Sequence, residues 1–183
     1  MLRKRPDPPT YPTITELLKN CAAGRGEQTL FVEERPGGCR VTYDQWSRDL
    51  LETAEKIQQL EAQHIGLVCD LTYSCILCMY SVLVAGKVLV LLEADLEAEA
   101  LEKYIRKADV DLVLYHEERV DGAISCCDSL QIPEFLSRPA TGNMSWPTWE
   151  DDREACIVFT SGTEGETRAV MLTQRNLSLT NSY

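Results

Sequence analysis

The run "IVFTSGTEGETRAVML", from Ile157 to Leu172, is the stretch whose residue types and spacing best suit chemistry. Gly162 and Gly165 let a backbone turn its N–H groups inward, because glycine enters positive φ without strain. Successive inward N–H groups make an anion-binding concavity. Thr160, Ser161 and Thr163 add hydroxyl donors, and Arg168 adds a permanent charge suited to phosphate oxygens. Glu164 and Glu166 place two carboxylates in the same loop. The G-K-S/T ending of a Walker loop is absent. From composition alone, a phosphate cradle and a plain Gly/Ser/Thr hairpin turn are equally good readings.

Such a loop needs rigid elements on both sides. An apolar strand precedes it and a second follows, and Thr173 then caps a new helix. Upstream, residues 1–12 read as an extended arm. "TITELLKNCAA" opens a short helix, with Thr13 and Glu16 at capping-box spacing. "TLFVEE" and "CRVTY" flank "RPGG", the pattern of a β-hairpin. In "TYDQWSRDLLETAEKIQQL", Thr42 and Gln45 repeat the capping box. Tyr43, Trp46, Leu50, Ala54, Ile57 and Leu60 form one apolar helical stripe.

The middle of the chain alternates. "IGLVC", "VLVLL" and "DLVLY" are continuous apolar strands. Between them lie an apolar helix from about Tyr73 to Ala85, ended by Gly86, and an amphipathic helix in "LEAEALEKYIRKAD". The second helix carries Leu96, Leu101, Tyr104, Ile105 and Ala108 on its stripe. This predicts an α/β fold: a parallel βαβ sheet covered by helices on both faces, with an N-terminal β-hairpin. Residues 119–154 read as a loop-rich connector, in which Trp146 and Trp149 pin the loop onto the core. Residues 155–172 form the phosphate-loop hairpin.

The net charge of −11 opposes nucleic-acid binding and anionic-membrane binding, both of which need a basic face. The 16 uncharged residues from Leu71 to Gly86 fall short of the ~20 that a membrane-spanning helix needs. The basic, proline-bearing N-terminus has no apolar h-region of a signal peptide. A cytoplasmic location is therefore expected, with the 8 cysteines as free thiols and small core hydrophobes. Cys75 and Cys78 form a C-x-x-C inside an apolar helix, without a second pair to complete a zinc site. His64 and His116 read as strand-end residues with no catalytic pairing.

"FTSGTEGETRAVMLTQRNL" resembles, without a gap, the Y/F-T-S-G-S/T-T-G-x-P-K-G signature and following "LTHxNL" run of the adenylate-forming (AMP-binding) superfamily. That superfamily includes acyl-CoA synthetases and the adenylation domains of nonribosomal peptide synthetases. "VTYDQW" resembles its "xTYxEL" opening, and "VLVAGKVLVLLEADLEAEALEKYIRKAD" resembles "LKAGAAYVPLDPxxPxxRLxxxLxxxx". The three matches run in order from about Tyr11 to Leu177.

The resemblance implies a carboxylate-activating enzyme. ATP and Mg²⁺ convert a carboxylic acid to an acyl-adenylate, and the acyl group then passes to a thiol of CoA or of a carrier-protein phosphopantetheine. Thr160, Ser161, Gly162, Thr163, Glu164, Gly165 and Arg168 occupy the phosphate-binding positions, with Arg168 in place of the motif's lysine. Glu164 stands where the family has a hydroxyl residue, Thr167 where it has proline, Ala169 where it has glycine and Gln174 where it has histidine. The family's adenine and ribose motifs and its late catalytic lysine lie beyond this motif. Residues 13–183 are accordingly read as an incomplete N-terminal subdomain, inactive alone and partnered by the remaining C-terminal part of the same enzyme. The helix after Thr173 is expected to lack a packing partner within it. The alternative is a degenerate AMP-binding-fold module with a structural or protein-interaction role.

Overall fold

A computed structural model describes residues 10–35, 37–68, 71–116, 124–161 and 167–180. The N-terminal part holds α1 (Ile14–Ala22), the antiparallel pair β1 (Thr29–Val32) and β2 (Arg40–Thr42), and α2 (Tyr43–Gln58). Then follow β3 (His64–Val68), α3 (Tyr73–Val84), β4 (Val88–Leu92), α4 (Ala98–Lys107) and β5 (Leu112–Tyr115). The chain continues through β6 (Asp128–Gln131), α5 (Ile132–Ser137), β7 (Glu154–Ser161), β8 (Thr167–Thr173) and α6 (Gln174–Thr180).

Threonine starts the first three helices in the same way. Thr13, Thr42 and Thr72 each sit in extended backbone, and each hydroxyl accepts the amide three residues on, from Glu16, Gln45 and Cys75, at 3.2 Å. Each bond satisfies an otherwise orphaned first-turn donor. The α2 stripe is buried as its spacing predicts: Trp46, Leu50, Ala54 and Ile57 face the core, with Tyr43 and Leu60 half-buried at the ends.

The main sheet has the order β6-β5-β3-β4-β7-β8. Its first five strands are parallel and β8 is antiparallel to β7. The chain steps from β3 through α3 to β4 on one side, then back through α4 to β5 on the other. Right-handed crossovers in opposite directions put α3 and α4 on opposite faces. Strand side chains alternate accordingly. Ile65, Leu67, Leu89, Leu112 and Leu114 join the core under α1, α2, α3 and α5. Val68, Val90, Leu92, Val113 and Tyr115 join the core under α4 with Leu101 and Ile105. Asp111 fixes the start of β3: its carboxylate accepts the amides of Gln63 and His64 at 2.8 and 2.9 Å. His64, at that strand end, bonds through Nδ1 to the Ala108 carbonyl at 2.7 Å.

Two expectations need correction. The 119–154 segment holds β6 and α5, not connector alone. Ile132 and Phe135 of α5 are fully buried, whereas β6 is a partly exposed edge strand of mostly polar residues. And α6 does have a partner. Gln174 is fully buried, its Nε2 donating to the Leu83 carbonyl at 3.2 Å while its Oε1 accepts from Thr15 Oγ1 of α1 at 3.4 Å. Ser178 Oγ donates to the Tyr11 carbonyl.

Trp149 does pin the connector. Its Nε1 donates to the Val84 carbonyl at 3.1 Å, and Arg153 stacks 4.5 Å over its ring. Arg153 also reaches the Gly86 carbonyl through Nε and Nη2, at 3.2 and 2.7 Å. Gly86 has φ +74°, and a Cβ there would lie 2.5 Å from the Trp149 ring. Trp146 packs, half-buried, against the same core. Among the described residues, no helix is long and apolar enough to cross a membrane.

Candidate functional site

The parallel strands all point one way, so the β7–β8 connection lies at the carboxyl edge of the sheet. Open α/β sheets bind ligands at that edge. β4 pairs with β7 only at Leu89↔Cys156 and Val90↔Ile157. Beyond Ile157, β7 continues to Ser161 paired with β8 alone, so the hairpin overruns its neighbour. Its final pairs are Phe159↔Ala169, Thr160↔Arg168 and Ser161↔Thr167.

Period-two alternation sorts these residues between two faces. Phe159 and Thr167 contact α4. Thr160 and Arg168 lie on the opposite face, where Val158 packs toward the core under α3. Both Thr160 and Arg168 are exposed. The Arg168 side chain has no hydrogen bond or ion pair among the described residues, its backbone being part of the β7–β8 ladder. A hydroxyl and a guanidinium unpaired among the described residues thus share one face at the neck of the hairpin, a donor set suited to an anion's oxygens.

Of the residues singled out by sequence, the structure brings together Thr160, the backbone of Ser161, and Arg168. Gly162, Thr163, Glu164, Gly165 and Glu166 lie outside the described residues.

Sequence reasoning missed two residues at this neck. Tyr104 of α4 stacks on Phe159, with ring centroids 4.4 Å apart and planes at 19°. Its hydroxyl shares a hydrogen bond with Thr167 Oγ1 at 3.0 Å. One turn on, Lys107 Nζ donates to the Thr167 carbonyl. Tyr104 was visible in the sequence only as part of an apolar stripe. Lys107 looked like one more solvated helix charge. No local signal joins either to a hairpin some 60 residues away.

The base of the hairpin is equally fixed. Gln174 N donates to the Arg153 carbonyl and Arg175 N to the Asp151 carbonyl, both at 2.9 Å. Arg175 also pairs with the Asp151 carboxylate at 3.2 Å. Thr173 caps α6, its hydroxyl accepting from Asn176 N at 3.2 Å while Asn176 Oδ1 accepts from Thr173 N at 3.0 Å.

Among the described residues, no group of three or more His, Cys, Asp or Glu side chains is placed to hold a metal ion. Burial pushes the Cys78 and Cys156 thiols up to about 12, far from a reactive thiolate at neutral pH.

The AMP-binding enzyme family profile matches residues 18–183. No curated protein matches the sequence significantly. Solved structures share the fold. The N-terminal subdomain of Klebsiella oxytoca NpsA, in complex with 3-hydroxybenzoyl-AMSN, superposes with a TM-score of 0.78 at 12% identity, over 91% of this chain and 42% of that one. The N-terminal domain of FACL13 from Mycobacterium tuberculosis, bound to an inhibitor, gives 0.74 at 20% identity, over 88% and 44%. The nonribosomal peptide synthetase FmoA3, in an AMPPNP-bound form, gives 0.75 at 18% identity, over 93% and 18%. The chain therefore spans less than half the length of each of these relatives.

Proposed function

The chain belongs to the AMP-binding enzyme family, and on that premise we propose that it is the N-terminal part of an ATP-dependent carboxylate-activating enzyme. The parent forms an acyl-adenylate in the cytoplasm and passes the acyl group to a thiol of CoA or phosphopantetheine. The observation that carries this reading is the hairpin neck, where Thr160 and Arg168 face each other at the carboxyl edge of the sheet. Their donors, unpaired among the described residues, suit the β- and γ-phosphates of ATP, with Mg²⁺ supplying further charge neutralisation when bound. The sequence around these two residues has the residue types such a cradle would use, with Gly162 and Gly165 permitting inward backbone N–H groups and Ser161 and Thr163 carrying hydroxyls. Arg168 holds phosphate oxygens as a fixed, always-charged fork. This chain's own part in the reaction is to bind and orient the nucleotide, while the catalytic lysine and the acid pocket belong to the rest of the parent.

One observation favours a second reading. Glu164 puts a carboxylate where the family's loop has a hydroxyl, as in a module that keeps the fold and has lost the nucleotide. Acid-dependent ATP–pyrophosphate exchange separates the two, run over fatty, aromatic and amino acids. The parent is expected to exchange with at least one acid, and the isolated chain to stay at the buffer rate. Exchange by the isolated chain contradicts its fragment role. A parent that binds no MgATP supports the degenerate module.

A further inference from the structure

We infer that α4 clasps the neck of the phosphate loop, with Tyr104 and Lys107 as positioning residues that fix where Arg168 presents its charge. The inference rests on the nucleotide reading above for its purpose, but its geometry stands independently.

Past Ile157, β7 has no partner on its β4 side among the described residues, in which β8 is the outer edge of the sheet. An antiparallel pair of strands is marginal without packing on at least one face. The hairpin neck therefore gains from support outside the ladder, and α4 supplies it at three points. Phe159 stacks on the Tyr104 ring at 4.4 Å. The Tyr104 hydroxyl meets Thr167 Oγ1 at 3.0 Å. Lys107 Nζ takes the Thr167 carbonyl, whose strand partner is Ser161.

Thr167 is both the first residue of β8 and the neighbour of Arg168. Anchoring its side chain and its carbonyl fixes the direction of the next residue, and alternation then sends Arg168 to the face opposite α4. Lys107 and Arg168 thus bracket the hairpin from two sides. The contact also gives a role to Thr167, which stands where the resembling motif has proline. A proline there would hold the backbone by its fixed φ but offer no hydroxyl. Here the hydroxyl bond to Tyr104 does the holding.

The test is hydrogen–deuterium exchange of the β7 and β8 amides in the 183-residue chain, paired with calorimetric titration of magnesium tripolyphosphate. The variants are Tyr104→Phe, Lys107→Met and Lys107→Arg. Tyr104→Phe keeps the stacking and removes only the hydroxyl, so the fold survives. Exchange in β8 is expected to rise about three- to tenfold in Tyr104→Phe and Lys107→Met, with α2 amides unchanged. Tripolyphosphate affinity should fall by a similar factor, and Lys107→Arg should restore both. Unchanged exchange overturns the inference, whatever the chain binds. Faster exchange with unaltered affinity overturns the positioning role. If the wild-type chain binds no tripolyphosphate, the nucleotide reading and the positioning role both fail, while the exchange arm still decides whether the clasp exists.

Discussion

Thr160 and Arg168 are register partners in the β7–β8 ladder, the last but one pair before the loop opens. Directly opposed residues on an antiparallel pair share a face, with Cβ atoms about 5 Å apart. The hydroxyl and the guanidinium therefore belong to side chains on one face of the hairpin at the carboxyl edge of the sheet. The second cation, Lys107, is held on the other side of the hairpin by the Thr167 carbonyl.

Gln174 is the least expendable polar residue of the hairpin base. It is fully buried and bridges Thr15 of α1 to Leu83 of α3. Gln174→Leu keeps the bulk but strands the buried Thr15 hydroxyl and removes one of the donors to the Leu83 carbonyl, which keeps the Gly86 amide. Urea denaturation should show a loss of about 2–3 kcal/mol. Gln174→His, which keeps one donor and one acceptor, should lose less.

Gly86→Ala should destabilise by about 2 kcal/mol or more, since it combines a left-handed φ with a clash against Trp149. Adding Trp149→Ala removes the clash but not the backbone strain. The double variant should then lose less than the sum of the two single losses, as read by thermal or urea unfolding.

Acid stability should depend on Asp111. Burial opposes its ionisation, but the amides of His64 and Gln63 outweigh that and hold its carboxyl below the usual range. A depressed folded value means its stabilisation is present above about pH 4, the unfolded value, and is lost as pH falls through the folded one. Asp111→Asn should flatten the acid limb of a stability–pH curve, by at most about 1 kcal/mol because the group is mostly exposed. Urea midpoints between pH 2 and 7 check this, and an unchanged slope would contradict it.

The sequence made the scaffold legible where local physics repeats. Threonine caps stood at Thr13 and Thr42, and the α2 stripe from Trp46 to Ile57 faced the core. Unbroken apolar strands from His64 to Tyr115 required cover on both faces. β6 was not legible because an edge strand reading "DSLQ" has no apolar alternation to announce it. α6 looked partnerless because its anchor, Gln174, is polar, and its bonds reach 91 and 159 residues back along the chain. At the site, residue types pointed to Thr160 and Arg168, but nothing local fixes strand register, so their pairing appeared only in the fold. Tyr104 and Lys107 were hidden for the same reason.

The central claim is that the hairpin neck binds the polyphosphate of a nucleotide, and isothermal titration of MgATP into the chain tests it most directly. The account predicts about a tenfold loss of affinity in Arg168→Met and a smaller loss in Arg168→Lys. It predicts about a tenfold gain in Glu164→Thr, because a carboxylate within a phosphate-binding run would repel like charge by roughly 1–2 kcal/mol after solvent screening. Glu166→Ala should change little. Binding that is indifferent to Arg168→Met, or that weakens in Glu164→Thr, would contradict it.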